Sequence, residues 1–340
     1  MLLLDIPQTK QLIKRTGIKP FYLQLIDNLQ TDFSLWADFQ KSSRYAAYVD
    51  NGVIELMPVC GKHQFSFKYV NGHPDNPRQQ KMTVIAFGTL ADNLTGYPLL
   101  ISEMTMLTAL RTAATAALAS RYMARAGSKK LAIIGCGAQS EFQVLAHHAV
   151  FDLSEVRYYD LDPLAMQRFA NNLANESFRL IPGENTKSLI QDADIIITAT
   201  AAKGKHKVIE YSWLKPGQHI SGIGGDSPDK TELDPEILRQ GKVVVEYFPQ
   251  TLHEGEIQNF GKKAKEIVYA ELWEVVSGKK PGRAAANDIT VYDSVGFALE
   301  DYSILRLVYA LAQQHRIGTP IELIPENIKD VKNLFGLLVN

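Results

Sequence analysis

The chain has 340 residues, 46% of them hydrophobic and 21% charged, with a formal net charge of -1. That length exceeds one typical core and predicts two domains, and the near-neutral balance excludes the clustered basic surface that a nucleic-acid or membrane partner requires. Two cysteines, Cys60 and Cys136, far apart in sequence, exclude a disulfide framework and fit a reducing cytoplasm, while Asp5 interrupts the opening leucines before they make a signal-peptide core.

Residues 1–40 read as helical segments. From Arg44 the period changes to that of strands. "RYAAYVDNGVIELMPV" holds Asn51-Gly52, a two-residue hairpin signal between β-prone runs. With that pair as the turn, Tyr48 faces Glu55 and Ala46 faces Met57, and Arg44, Tyr48, Glu55 and Met57 share one side of the sheet. Tyr45, Ala47, Val49, Ile54 and Leu56 then form the core side. In "FSFKYV" Phe65, Phe67 and Tyr69 alternate toward that core and Lys68 points away; in a matching register Lys68 joins Arg44, Glu55 and Met57. "TVIAFGTLAD" and "YPLLISEM" extend an antiparallel meander.

"MTMLTALRTAATAALASRYMARAG" is helical, with Leu107, Leu110, Ala114, Ala117 and Leu118 on one stripe. Arg111 falls within that stripe, where an arginine needs an anionic or carbonyl partner. Arg44, Lys68, Arg111 and Glu55 would together suit a zwitterion. Parity alone is also met by a solvated sheet face with scattered charges, the simpler reading.

After Ser128 strands and helices alternate: "KLAIIG", "SEFQVLAHHAVF", "EVRYYD", "DPLAMQRFANNLAN", "FRLI", "TKSLIQDA", "DIIITAT", "QHISGIG", "LDPEILRQG", "KVVVEY" and "ITVYDS". This predicts an α/β fold, a Rossmann-type doubly wound parallel sheet inserted between the two parts of a mixed α+β domain. The helix "GFALEDYSILRLVYALAQQH" and "TPIELIP" lead back to the first domain. The expected boundaries are 1–117 plus 316–340 for the mixed α+β domain and 118–315 for the Rossmann-type domain.

"LAIIGCGAQSEFQ" sets Gly135, Gly137 and Ser140 at the G-x-G-x-x-G spacing between strand and helix. Gly135 suits a tight turn, Gly137 admits a pyrophosphate near the backbone, and the helix N-terminus favours anions. Asp160 ends the second strand, placed to accept from both ribose hydroxyls. It repels a 2′-phosphate, so NAD is favoured over NADP. The eight histidines show no metal-ligand spacing, and no metal is expected. "HISGIGGDSPDK" ends an apolar run on Gly224, Gly225 and Asp226. An active-site acid and an ordinary turn aspartate are equal readings of Asp226 from the residues alone.

"RYAAYVDNGVIELMPV", "FKYVNGHP", "SEMTMLTALRTAATAALA", "IGCGAQSEFQ", "GIGGDSPDKTELD" and "VYDSVGFALEDY" together resemble the ornithine cyclodeaminase and mu-crystallin family over nearly the whole chain. The resemblance implies a homodimer acting on a small amino-acid substrate, with the mixed α+β domain (1–117 plus 316–340) as the substrate-binding and dimerisation domain and 118–315 as the NAD-binding domain. It places Arg44, Lys68 and Arg111 at the substrate carboxylate and Met57 and Val295 beside it. It implies NAD contacts from Thr83, Arg111, Ala138, Gln139, Asp160 and Thr200, with Ile223, Gly224, Gly225, Asp226, Lys230 and Ser294 nearby. Asp226 becomes the expected acid/base, and Glu55 and Lys68 its catalytic companions. The activity implied is closure of L-ornithine to L-proline with loss of ammonia and recycling of NAD. A ketimine reductase, an amino-acid dehydrogenase, a lysine cyclodeaminase and a binding protein without turnover remain alternatives within the family.

Overall fold

A computed structural model of the chain describes residues 1–200, 204–326 and 330–339. Two eight-stranded sheets organise it. The first is a mainly antiparallel run in the order Thr319–Pro320, Leu2–Leu4, Pro98–Glu103, Ala86–Asp92, Gln64–Gly72, Gly52–Cys60, Gln40–Lys41, with Tyr45–Val49 also paired to Gly52–Cys60. Leu2–Leu4 is a strand, not part of a helix, and three residues are too few to carry a period. The helices Ile6–Thr16 and Ile18–Ser34 follow. Asp5 and Gln8 form a capping box at the first, and Gly17, at φ 84°, separates the two.

The hairpin pairs Val49 with Gly52, so Asp50 and Asn51 occupy the turn in place of Asn51-Gly52, and Tyr48 faces Val53, Ala46 faces Glu55. That shift preserves parity, and Arg44, Glu55 and Met57 stay on one side. Lys68 sits directly opposite Met57, the register that brings it to them. The expected core side is inverted, however. Met57, Lys68 and Val70 are buried, whereas Tyr45 (67% exposed) and Leu56 are open. In register, Tyr45, Leu56, Tyr69 and Phe87 line up across four strands on the outer face. The helix Ala298–His315 packs on the inner face, against Gly52–Cys60, Gln64–Gly72 and Ala86–Asp92. It brings Asp301 to Lys68, and this partner is what lets a lysine face inward.

The second sheet is wholly parallel, ordered Arg179–Pro182, Glu155–Tyr159, Lys130–Ile134, Ile195–Thr198, His219–Gly222, Thr290–Asp293, Lys242–Val245, Val268–Glu271. Its central strands are buried along their length, as in a sheet covered on both faces. Chain order reverses between Lys130–Ile134 and Ile195–Thr198, which defines the switch point. A short parallel pair, Lys205–Ile209 and Thr231–Leu233, stands apart from it.

The helix Thr105–Met123 joins the lobes. It is buried on most sides, its alanines letting the helices Ile18–Ser34 and Ser140–Phe151 close on it. The helix Ala298–His315, assigned from sequence to the nucleotide domain, packs instead on the antiparallel sheet and on Ile18–Ser34. By packing, the return to the first domain falls just after Thr290–Asp293.

Candidate active site

The loop after Lys130–Ile134 lies at the switch point. Gly135 has φ +97°, and a Cβ there would sit 2.5 Å from the Ala199 carbonyl oxygen. Around Gly137 a Cβ would meet nothing within 4 Å, so open space borders the loop. The helix Ser140–Phe151 begins here, and the Ser140 hydroxyl lies 2.7 Å from the Gly137 carbonyl oxygen. Ala138 is exposed, and Gln139 Oε1 is buried without a hydrogen-bond partner. Asp160 accepts from the Cys136 amide at 2.7 Å and the Asp162 amide at 2.9 Å. Its carboxylate is therefore pinned beside the glycine loop. Burial, with Asp160 and Glu141 close by, pushes the Cys136 thiol up to about 12 and leaves it a filler. An open cradle, a helix N-terminus, an unmet amide oxygen and a fixed carboxylate together fit a dinucleotide.

The paired glycines have a local cause. The amides of Ile223 and Gly224 both reach the Thr198 carbonyl, at 2.9 and 3.2 Å. Gly224 also donates to Glu232 Oε2 at 3.1 Å, and a Cβ on Gly224 would overlap that carboxylate. Glu232 Oε1 accepts from both the amide and the hydroxyl of Thr200. A Cβ on Gly225 would press on Glu256 Oε1 at 3.0 Å. The glycines thus make room for two buried acids as well as setting the turn. Burial raises the pKa of both Glu232 and Glu256. Asp226, at the end of this turn, has a side chain 58% exposed and pairs with Lys230 at 3.0 Å.

The cations on the sheet are not solvated. Arg44 donates to both Glu55 oxygens, at 3.3 and 3.1 Å, and to the carbonyls of Val295 and Gly296, each at 2.7 Å. Lys68 Nζ and Arg111 Nε both lie 2.9 Å from Asp301 Oδ1, and Arg111 Nη1 is 2.7 Å from Glu300 Oε2. Burial, reinforced by the positive charge of Arg111, pulls the Lys68 ammonium down to about 8. Desolvation drives the Glu300 carboxyl well above its ordinary range. Glu246 holds the loop from below, accepting from Tyr292, Ser294, and the amides of Val295 and Gly296 at 2.7 to 2.9 Å.

The structure therefore gathers Arg44, Glu55, Met57, Lys68, Arg111, Ser294 and Val295 around one buried charge cluster. Gly135, Gly137, Ala138, Gln139, Asp160, Thr200 and Ile223 to Gly225 lie just beyond the C-terminal ends of the parallel strands. Asp226 and Lys230 are at its rim. Thr83 is exposed on the segment before Ala86–Asp92, its carbonyl bonded to the His73 amide, and no hydrogen bond ties its side chain to the cluster among the described residues. Sequence reasoning missed the acids that organise the site: Glu232, Glu246, Glu254, Glu300 and Asp301. The signal for Glu246, Glu300 and Asp301 was an acid inside an apolar run, in "KVVVEYF" and "GFALEDYSIL"; Glu232 and Glu254 carry no such signal.

A switch-point sheet edge with a glycine loop, beside a buried cluster of mixed charge, defines a Rossmann-type nucleotide-binding fold. Within that class the chain belongs to the Ornithine cyclodeaminase/mu-crystallin family, whose profile matches residues 8–316. It is 44% identical over 324 residues to an ornithine cyclodeaminase of Agrobacterium fabrum, covering 95% of this chain and 90% of that protein. An archaeal alanine dehydrogenase dimer with bound NAD has the same fold, with a TM-score of 0.88 and 32% identity over 95% of this chain and 99% of that one. A lysine cyclodeaminase, studied for recognition of L-lysine, L-ornithine and L-2,4-diaminobutyric acid, gives a TM-score of 0.90 at 27% identity, covering 99% of each chain.

Proposed function

We propose that the chain is an ornithine cyclodeaminase that converts L-ornithine to L-proline and ammonia with NAD as its resident cofactor. The observation that carries this is the buried triad of Lys68, Arg111 and Asp301, set beside a nucleotide-binding edge. Lys68 and Arg111 retain N–H donors beyond those given to Asp301 and Glu300, and these receive the substrate carboxylate. Arg44, held at Nη1 by Glu55 and at Nη2 by the Val295 and Gly296 carbonyls, is an anchor of the site, and its buried Nε has no hydrogen-bond partner among the described residues. Gly135, Gly137, Ala138 and Gln139 cradle the pyrophosphate and Asp160 takes the ribose hydroxyls, with Thr200 and Ile223 along the same edge.

Bound NAD supplies a reversible hydride acceptor, so the overall reaction has no net redox change. Asp226 exchanges protons with the substrate's α-nitrogen, and Lys230 steadies its carboxylate. Holding both ends of ornithine brings the distal amine to the α-carbon, where proximity favours a five-membered ring. The apolar side chains of Met57 and Val295 help keep water out, which protects an imine from hydrolysis.

The test is incubation with L-ornithine and catalytic NAD. Equal amounts of proline and ammonia, with no accumulation of NADH, are expected. NADH accumulating in step with substrate loss would overturn the reading in favour of a dehydrogenase. The outward row of Tyr45, Leu56, Tyr69 and Phe87 is the surface on which a second copy would sit. Sedimentation of the protein as a monomer at micromolar concentration would exclude that homodimer.

A further inference from the structure

Among the described residues, every carboxylate around the cationic cluster accepts a hydrogen bond except Glu254; Asp301 Oδ2 is also unpartnered, but that carboxylate is held through Oδ1. Glu55 is held by Arg44, Asp301 by Lys68 and Arg111, Glu300 by Arg111, and Glu246 by four donors. Glu254 follows the short helix Phe248–Thr251, and its side chain is 6% exposed. Its Oε2 is buried with no hydrogen-bond partner. The cation nearest in contact is Arg44, whose Nη2 is 3.6 Å away and already donates to two carbonyls at 2.7 Å. The next residue, Gly255, donates to the Gly225 carbonyl at 2.6 Å. The loop bearing Glu254 therefore runs against the turn that presents Asp226. A buried acceptor without a donor is costly, and a cation brought by a ligand removes that cost.

We infer that Glu254 receives the distal ammonium of a diamino acid whose carboxylate rests at Lys68 and Arg111, and thereby selects diamino acids over monoamino acids of equal length. This rests on the proposed ornithine reading and adds the determinant of substrate class. The charged groups facing Glu254 are Arg44 and Glu55 from the antiparallel sheet, Asp226 from the glycine turn, and Glu246 at the end of Lys242–Val245. Burial lifts its carboxyl to about 7 against the pull of Arg44, with Glu55 and Asp226 adding to the rise. An arriving ammonium shifts it to the ionised form it needs for binding.

The experiment compares L-ornithine with L-norvaline, the same chain without the distal amine, on the NAD-loaded protein. Calorimetry gives both affinities, and product assay gives KM and kcat for ornithine. In Glu254→Gln the affinity for ornithine should fall about tenfold to a hundredfold, as expected for loss of a charge-assisted hydrogen bond, while that for norvaline stays within twofold. Glu254→Asp, which keeps the charge, should restore part of the difference. Equal loss for both ligands, or no loss for ornithine, overturns the inference. Wild-type protein that binds ornithine more tightly than norvaline yet forms no proline would refute the reaction and leave the role of Glu254 standing.

Discussion

Lys68 Nζ lies 2.9 Å from Asp301 Oδ1, with both side chains 1% exposed. The two are 233 positions apart in sequence, and the same carboxylate oxygen also takes Arg111 Nε. Removing this anion leaves two cations buried together. Asp301→Asn should lose roughly 3 to 5 kcal/mol of stability, the usual cost of breaking a buried pair from one side. Urea unfolding, read as the shift in midpoint at constant slope, measures it. A change under 1 kcal/mol would mean that the cations find other partners.

The ammonium of Lys68 sits down at about 8 because burial disfavours its charge. The folded state therefore binds fewer protons than the unfolded chain between about pH 8 and the ordinary lysine range. The burial penalty is present below pH 8 and fades above it. For the substrate the sign is opposite: its carboxylate needs the charged form. KM for ornithine should rise as pH passes upward through about 8. Lys68→Arg, which stays charged, should remove that limb from the pH profile of KM.

His147 Nε2 and His219 Nε2 both lie 2.9 Å from the Ser120 hydroxyl, at the seam between the lobes. Burial pulls His147 down to about 4 and His219 well below its ordinary value. Both are neutral in the fold. Their contribution is present above the unfolded histidine range and is lost as pH falls from about 6.5 toward 4, on the order of 3 kcal/mol for His147. The raised carboxyls of Asp293 and Glu254, both at about 7, act with the opposite sign over part of this range. The discriminating measurement is therefore a difference. His147→Gln should flatten the fall in stability between pH 7 and 5 relative to the parent.

Gly224 faces the Glu232 carboxylate with no room for a methyl group. Gly224→Ala should destabilise the turn and weaken NAD, because the displaced acid also holds Thr200. Glu232→Ala alone should cost stability through the freed amides. The double variant should be less impaired than the sum of the singles, a coupling of about 1 kcal/mol or more. Strict additivity would show that the turn relaxes without involving Glu232.

Asp160→Ser keeps an acceptor for the Cys136 amide and removes the charge at the ribose position. NAD should bind about tenfold more weakly and NADP should become usable, as loss of a charged acceptor implies. Fluorescence titration of both cofactors tests this, and unchanged preference would take Asp160 off the ribose.

The parallel half was readable because buried strands, helix caps and glycines recur there in register with one another. Asp162-Pro163 and Asp234-Pro235 start helices as their chemistry requires, and Gly135 adopts the positive φ that its loop needs. The antiparallel half was readable only to parity. Alternation tells which residues share a side, but Phe67, Tyr69 and Leu56 made the outer face look like the inner one. The decision belongs to Asp301, which neutralises Lys68 from a helix that begins more than 200 residues later. Glu232 and Glu246 were hidden for the same reason. Their partners are backbone amides and hydroxyls that only the folded loops bring together.

Glu300 and Asp301 ride on the helix Ala298–His315, in the same lobe as Lys68, and so travel with the antiparallel sheet. Were the two halves of the molecule to swing apart, this knot of charge would move as one piece. Among the threads to part would be those from the Arg44 guanidinium to Glu254 and from its amide to Gln250. Arg44 thus serves as one clasp between the halves, beside the stacking of Trp36 on Trp273, while the electrostatics that greet an incoming acid are the same whether the jaws are open or shut.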